Sequence, residues 1–203
     1  MWTASAYKLF VVEALLLQRG GPLSGYESSD AQIAIENSDN PAGYRLFLDA
    51  GGNEGLEAAA RRFGMRHTVL GETDPTFTRT SASDFLVLAR NLVDPHSPLT
   101  PAARHYLLSL KADEEADQRW GVSAAADKDT DAYSKNGWLS IDDSNPPGET
   151  DGGRWAVTSV GLIRVRHQRI AMAVLTQHQP LMDDGVRLVE RLARAIAPAV
   201  TVG

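Results

Sequence analysis

Apolar positions in the first half of the chain recur at helical spacing. Over Ala6–Gln18, Leu9, Val12 and Leu16 with their neighbours Phe10 and Leu17 make a wide apolar face, which Gly20-Gly21-Pro22 ends. Ser29–Glu36, with Ile33 and Ile35, predicts a second helix. Asn40-Pro41 punctuates the chain, and Pro41 suits the first turn of a third helix over Ala42–Leu48, closed by Gly51-Gly52. Asn53 can cap a fourth helix running to Arg62, with Leu56, Ala59, Ala60 and Phe63 on one side and Gly64 as its stop. His67–Thr80 has no clear period and reads as loop. Ser81 or Ser83 caps a fifth helix in which Phe85, Leu88 and Leu92 share a stripe. Thr100-Pro101 opens a sixth, to about Lys111.

The period changes after a polar, acidic stretch from Asp113 to Asp131. Tyr133–Ile141, Trp155–Arg166 and Ile170–Thr176 read as strands. Turn-rich Asp142–Gly153 separates the first two, and Arg166–Arg169 makes a tight connection between the last two. A final helix from about Asp183 to Ile196 has Val186, Val189, Leu192 and Ile196 as its core stripe. Several helices, three adjacent strands and a helix make an α+β fold with an antiparallel sheet as the simplest pairing. The 203 residues suit a single unit, divided into a helical lobe over roughly 1–118 and a sheet lobe over roughly 119–203.

Composition removes several kinds of chemistry. The net charge of −6 disfavours a nucleic-acid partner, and Arg164, Arg166 and Arg169 are too few and too local to reverse that. With no cysteine there are no disulfides, thiolate nucleophiles or Cys-based metal sites. The five histidines lack paired-ligand spacing, so no metal site is expected, and the acid run Asp113-Glu114-Glu115 with Asp117 reads as a solvated face. No motif implies a cofactor. No apolar run reaches the roughly 18 residues of a membrane span; Leu9–Leu17 is broken by Glu13. Met1-Trp2-Thr3-Ala4 has neither the basic start nor the apolar core of a signal peptide.

Ser5-Ala6-Tyr7-Lys8 is the first constellation with chemistry in it. At i and i+3 of a helix the hydroxyl and the amine lie on one face and can meet. A serine needs a nearby base to act as a nucleophile, and a lysine serves as one only where burial or a second cation lowers its pKa. Taken alone the pair is weak, and Ser5 reads first as a helix N-cap. Two further elements follow in the chain: Ser38-Asp39-Asn40 at a junction between helices, and Lys135-Asn136-Gly137 on the first strand. The chain has only four lysines, and two of them, Lys8 and Lys135, fall in these motifs.

SxxK, then SDN, then a lysine-glycine strand motif, in this order, resembles the class A β-lactamase-like and penicillin-binding serine hydrolases. The Lys135–Leu139 stretch, KNGWL, is similar to a lipoprotein-type branch that carries it where others have KTG. The likeness extends over Leu9–Leu17, Ile35-Glu36-Asn37, Ala50-Gly51-Gly52, Ala59–Met65 and the Trp155–Gln177 hairpin, essentially the whole chain. It implies an antiparallel sheet flanked by helices, plus a helical lobe. In the roles it implies, Ser5 is the acyl-accepting nucleophile and Lys8 its base or proton relay. Ser38 shuttles a proton to the leaving group, and Asn40 bonds Lys8 or a substrate carbonyl. Lys135 supplies positive potential that lowers the Lys8 pKa, and Asp39 is structural. The amides of Ser5 and of Trp138, just after Gly137, form the oxyanion hole. The substrate would be a β-lactam or a peptidoglycan-derived amide or ester, and the location the cell envelope or outside the cell. Relatives carry a helix and two strands ahead of the SxxK helix, so this chain is expected to lack them. Strand 170–176 would then be an apolar edge available for self-association.

Three departures qualify the likeness. Asn136 stands where threonine or serine is usual, and its amide can still donate to a carboxylate. The loop before the fifth helix lacks the ExxxN pattern that activates the hydrolytic water. Glu72 and Asp74 lie there; either can substitute, with Glu72 as the candidate, or both are solvated loop acids. Deacylation is therefore expected to be slow. Ser38 follows Ser5 by only 33 positions, which trims the helical lobe and opens the cleft. The alternative is a catalytically weakened binding protein of the cell envelope that keeps the fold.

Overall fold

In a computed structural model, residues 1–110, 119–128, 130–141 and 154–201 are described. The acid run Asp113–Asp117 and the loop Asp142–Gly153 lie outside them. Six helices come first: α1 (Tyr7–Arg19), α2 (Gly25–Glu36), α3 (Asn40–Asp49), α4 (Gly52–Phe63), α5 (Ala82–Asn91) and α6 (Pro101–Ser109). Strands β1 (Tyr133–Ile141), β2 (Arg154–Val165) and β3 (Gln168–Gln179) then form an antiparallel sheet in the order β1-β2-β3, and α7 (Met182–Val200) closes the described chain. Short 3-10 turns precede α1 at Ala4–Ala6 and β1 at Gly121–Ala125, and a third lies in the loop at Pro75–Phe77. The expected α+β architecture with an antiparallel sheet is therefore present. Among the described residues no helix is long and apolar enough to cross a membrane.

Local chemistry sets most boundaries. Ser81 accepts from Asp84 N and Thr100 from Ala103 N, capping α5 and α6, while Gly64, at φ 78°, ends α4. The β2–β3 connection is the pair Arg166-His167, both at positive φ (49° and 65°), the backbone that the right-handed twist of a hairpin demands. Two expectations need correction. Asn53 does not cap α4: Gly51, at φ 91°, begins it, and Asn53 Nδ2 instead donates to the carbonyls of Gly71 and Glu72 in the loop. The buried stripe of α7 is Gly185, Val189, Ala193 and Ala197, whereas Leu192 and Ile196 are 36% and 43% exposed. The reason is close approach: a Cβ at Gly185 would lie 2.4 Å from Val157 Cγ2, so small residues let the helix lie on the sheet.

Side chains alternate across the sheet and so build two cores. On one face Tyr133, Val160, Leu162 and Leu175 join the helical core around α1, with Leu9, Phe10, Leu15 and Leu16 fully buried. On the other, Val157, Ile163, Met172 and Val174 pack under α7 with Trp120 and Val122. Lys135 and Gly137 belong to the face shared with α1, which aims β1's chemistry at the start of that helix.

Candidate active site

The segment before α1 is stitched in place on two sides. Thr3 N donates to Thr78 O at 2.8 Å, Thr80 N to Met1 O at 2.8 Å, and Thr158 Oγ1 on β2 to Trp2 O at 3.0 Å. Ala4 is held at φ 45°, a conformation that costs a residue with a Cβ about 1–3 kcal/mol and persists only where its surroundings impose it. It delivers Ser5, half-buried, to the mouth of α1. A Cβ at Gly137 would lie 2.6 Å from Ala6 N and 2.8 Å from Ser5 N. Only glycine there lets the β1 backbone at Gly137-Trp138 come up against the Ser5 amide.

One turn along, Lys8 Nζ lies 2.8 Å from Ser5 Oγ and 3.4 Å from Ser38 Oγ, and it donates to Asn40 Oδ1 at 2.7 Å. From the other side Lys135 Nζ donates to Ser38 Oγ at 2.9 Å and to Asn136 O at 3.3 Å. Ser38, at φ 57°, turns the chain between α2 and α3. Asp39 completes that turn by accepting from Ala42 N at 2.7 Å, the structural role expected of it. Ser5, Lys8, Ser38, Asn40 and Lys135, spread over 130 positions, thus meet in one hydrogen-bonded cluster.

Electrostatics suits this cluster to proton transfer. Lys8 has no exposed surface, and burial brings its ammonium down to about 8, against the opposing pull of Asp39 and Asp74. Burial also takes Lys135 well below the usual lysine range, and the neighbouring Lys8 charge adds to that. Two ammonium groups converging on one hydroxyl disfavour each other's charge. A free amine beside Ser5 can take its proton; an ammonium there can return one.

The remaining candidates are distributed unevenly. The Asn136 side chain is 2% exposed and donates Nδ2 to Trp120 O at 3.1 Å, on the sheet face away from Ser5. Trp138 packs against Trp120 on that same face, the rings tilted with centroids 5.9 Å apart, so it is the Trp138 backbone that borders the cleft. Glu72 has an exposed side chain. Asp74 is the loop acid whose charge bears on both Lys8 and Tyr7. Gly71 allows that placement: a Cβ on it would lie 2.2 Å from Asp74 O. One residue escaped the sequence reading altogether. A Cβ at Gly43 would meet Lys8 Cε at 2.8 Å, Tyr7 Oη at 2.9 Å and Lys8 Cγ at 3.0 Å, so the missing side chain makes room for the lysine. Its i+3 offset from Asn40 on α3 was the available signal.

Known proteins match this chain at two levels. The family model described as "Beta-lactamase enzyme family" matches residues 30–200. Among solved structures, a class A beta-lactamase representative from Bacteroides cellulosilyticus superposes with a TM-score of 0.79 at 13% identity, over 98% of this chain and 84% of that one. A variant of PBP-A, solved as an acyl-enzyme complex with penicillin G, gives 0.75 at 19% identity, over 97% of this chain and 80% of that one. A variant of a reconstructed class A beta-lactamase, the last common ancestor of Gram-negative bacteria, gives 0.72 at 21%, over 97% and 83%. At these identities the likeness is one of fold. No curated protein matches the chain in sequence.

Proposed function

This chain belongs to the beta-lactamase enzyme family, and from that premise we propose that it works by forming an acyl-enzyme on Ser5. The observation that carries the reading is the Ser5–Lys8 contact of 2.8 Å around a lysine whose pKa burial has brought to about 8. Lys8 takes the Ser5 proton as Oγ attacks the carbonyl carbon of a β-lactam or a peptidoglycan-like amide or ester. The oxygen that becomes negative sits between the Ser5 and Trp138 amides, each such donor contributing about 2.7–4 kcal/mol in the transition state. Ser38, bonded to both lysines, passes a proton to the leaving group. Lys135 holds Ser38 from the side opposite Lys8, Gly137 and Asn136 hold the strand that borders the cleft, and Asn40 fixes Lys8. The two lobes act as one catalytic unit, in the cell envelope or outside the cell.

Deacylation needs water activated on the far side of the ester. Asp74, close enough to bear on Lys8 and Tyr7, is the group we assign to that step in preference to Glu72. Its carboxylate already accepts from Thr76 N at 2.8 Å, so one of the oxygens that would take a proton from water is engaged, and we expect the acyl-enzyme to be long-lived. The test is hydrolysis of a small aryl ester by the wild type, Ser5→Ala and Lys8→Met, all verified as folded. We expect both variants to lose turnover at least about a hundredfold, the low end for a missing catalytic proton transfer. Equal rates in all three proteins would favour a binding protein that keeps the fold without the chemistry.

A further inference from the structure

The described residues line an open cavity of about 1190 Å³ at the end of the sheet away from Ser5, between the C-terminal end of α6, the start of β1 and the β2–β3 hairpin. Its apolar wall is Leu108, Leu110, Tyr133 and Leu162. Its charged wall carries Arg164 and Arg169, which stand directly opposite each other in the β2–β3 register. Arg164 lies two positions after Leu162 and Arg169 two before Ala171, the partner of Leu162, so both project from the same sheet face as the apolar wall.

Two like charges facing each other across a strand pair destabilise it, and among the described residues the Asp127 carboxylate offsets Arg164 but nothing bonds the Arg169 side chain. The Arg169 side chain makes no hydrogen bond or ion pair with any described residue. Among the described residues Arg164 Nη1 donates to the His167 carbonyl of its own turn, at 3.5 Å, and its charge also bears on the Asp127 carboxylate. Asp127 lines the cavity, yet both its carboxylate oxygens are engaged, accepting from Arg166 N and His167 N at 3.0 Å each. Asp131, also on the lining, is exposed. Two guanidinium forks side by side fit the planar or tetrahedral oxygens of a carboxylate or phosphate. The leucine and tyrosine wall beside them fits an alkyl or aryl body.

We propose that this cavity is a second binding site, separate from the catalytic cleft, for a small amphiphilic anion whose carboxylate or phosphate head lies between Arg164 and Arg169 and whose apolar body lies against Leu108, Leu110 and Leu162. The site does not depend on acylation of Ser5. Its size is that of a pocket for a drug-sized or somewhat larger molecule.

Calorimetric titration of the full chain with octyl phosphate tests this, using inorganic phosphate and octyltrimethylammonium as the head-only and opposite-charge probes. We expect saturable one-to-one binding of octyl phosphate and of decanoate, binding of inorganic phosphate at least about tenfold weaker, and none of the cation. Arg169→Gln alone, at an exposed position, should weaken octyl phosphate about tenfold or more, and Arg164→Gln/Arg169→Gln should abolish it, since a hydrogen bond to a charged group is worth that factor or more. Ser5→Ala should bind as the wild type does. Absence of saturable binding overturns the proposal, as does equal affinity in wild type and double variant. Inorganic phosphate binding as tightly as octyl phosphate would overturn the amphiphile.

Discussion

At the scale of single residues, two absences and one buried acid decide behaviour. The absent Cβ of Gly137 brings β1 to the Ser5 amide, and the absent Cβ of Gly43 leaves the volume that Lys8 occupies. Gly43→Ala should therefore fold but push Lys8 off Ser5. Because small misplacements of a catalytic group are costly, we expect acylation to slow by about tenfold to a hundredfold. The pH profile checks the mechanism: wild-type kcat/KM should rise through a midpoint near 8 as Lys8 loses its proton, and the variant's midpoint should move. An unchanged rate and midpoint would contradict the packing argument. Glu13, fully buried in α1, accepts from Asn91 Nδ2 at 2.8 Å, and burial lifts its carboxyl well above the usual range. The folded state thus holds a proton that the unfolded chain releases above about 4.5. The stability it contributes is full below that pH and falls as pH rises toward the folded value, by at most about 1.4 kcal/mol per unit. The two buried lysines act in the opposite sense, so the difference between proteins is the informative quantity. Glu13→Gln should gain on the wild type as pH increases from 5 to 8 in chemical denaturation, and parallel curves would refute a neutral buried acid.

At the scale of elements, the loop between α4 and α5 has the most to reveal. Asp74→Asn should prolong the acyl-enzyme about tenfold or more, whereas Glu72→Gln, altering an exposed side chain, should leave its lifetime unchanged. Following the decay of an acyl adduct in each variant decides it, and the reverse outcome would return the role to Glu72. Elements whose ends obey local rules were legible in the sequence: Thr100-Pro101 and Ser81 cap where they should, and β1 spans Tyr133–Ile141 as its pattern predicts. Elements shaped by close packing were not. Hydrophobicity ranks Leu192 and Ile196 as core, yet contact with Val157 selects the glycine-alanine stripe of α7 instead. Asn53 has the chemistry of a cap and is used to tie down a distant loop. The cluster around Lys8 was legible because each motif holds its groups within three or four residues, and Asp74 was one of two loop acids the sequence offered; Gly43 matters only through contacts made in the fold.

At the scale of the molecule, the sheet faces two cores with one edge of its first strand turned to α1. That geometry is what lets Lys8 from a helix and Lys135 from a strand converge on Ser38 between them. The account stands on one consequence of this convergence, that Ser5 is a nucleophile. Intact-protein mass spectrometry after incubation with a fluorescent penicillin, followed by peptide mapping, reads it directly. The wild type should gain the mass of one penicillin on the peptide containing Ser5, keep it for hours, and gain none as Ser5→Ala. A folded wild type that acquires no adduct from penicillins or from simple acyl esters, or one labelled equally without Ser5, would contradict it.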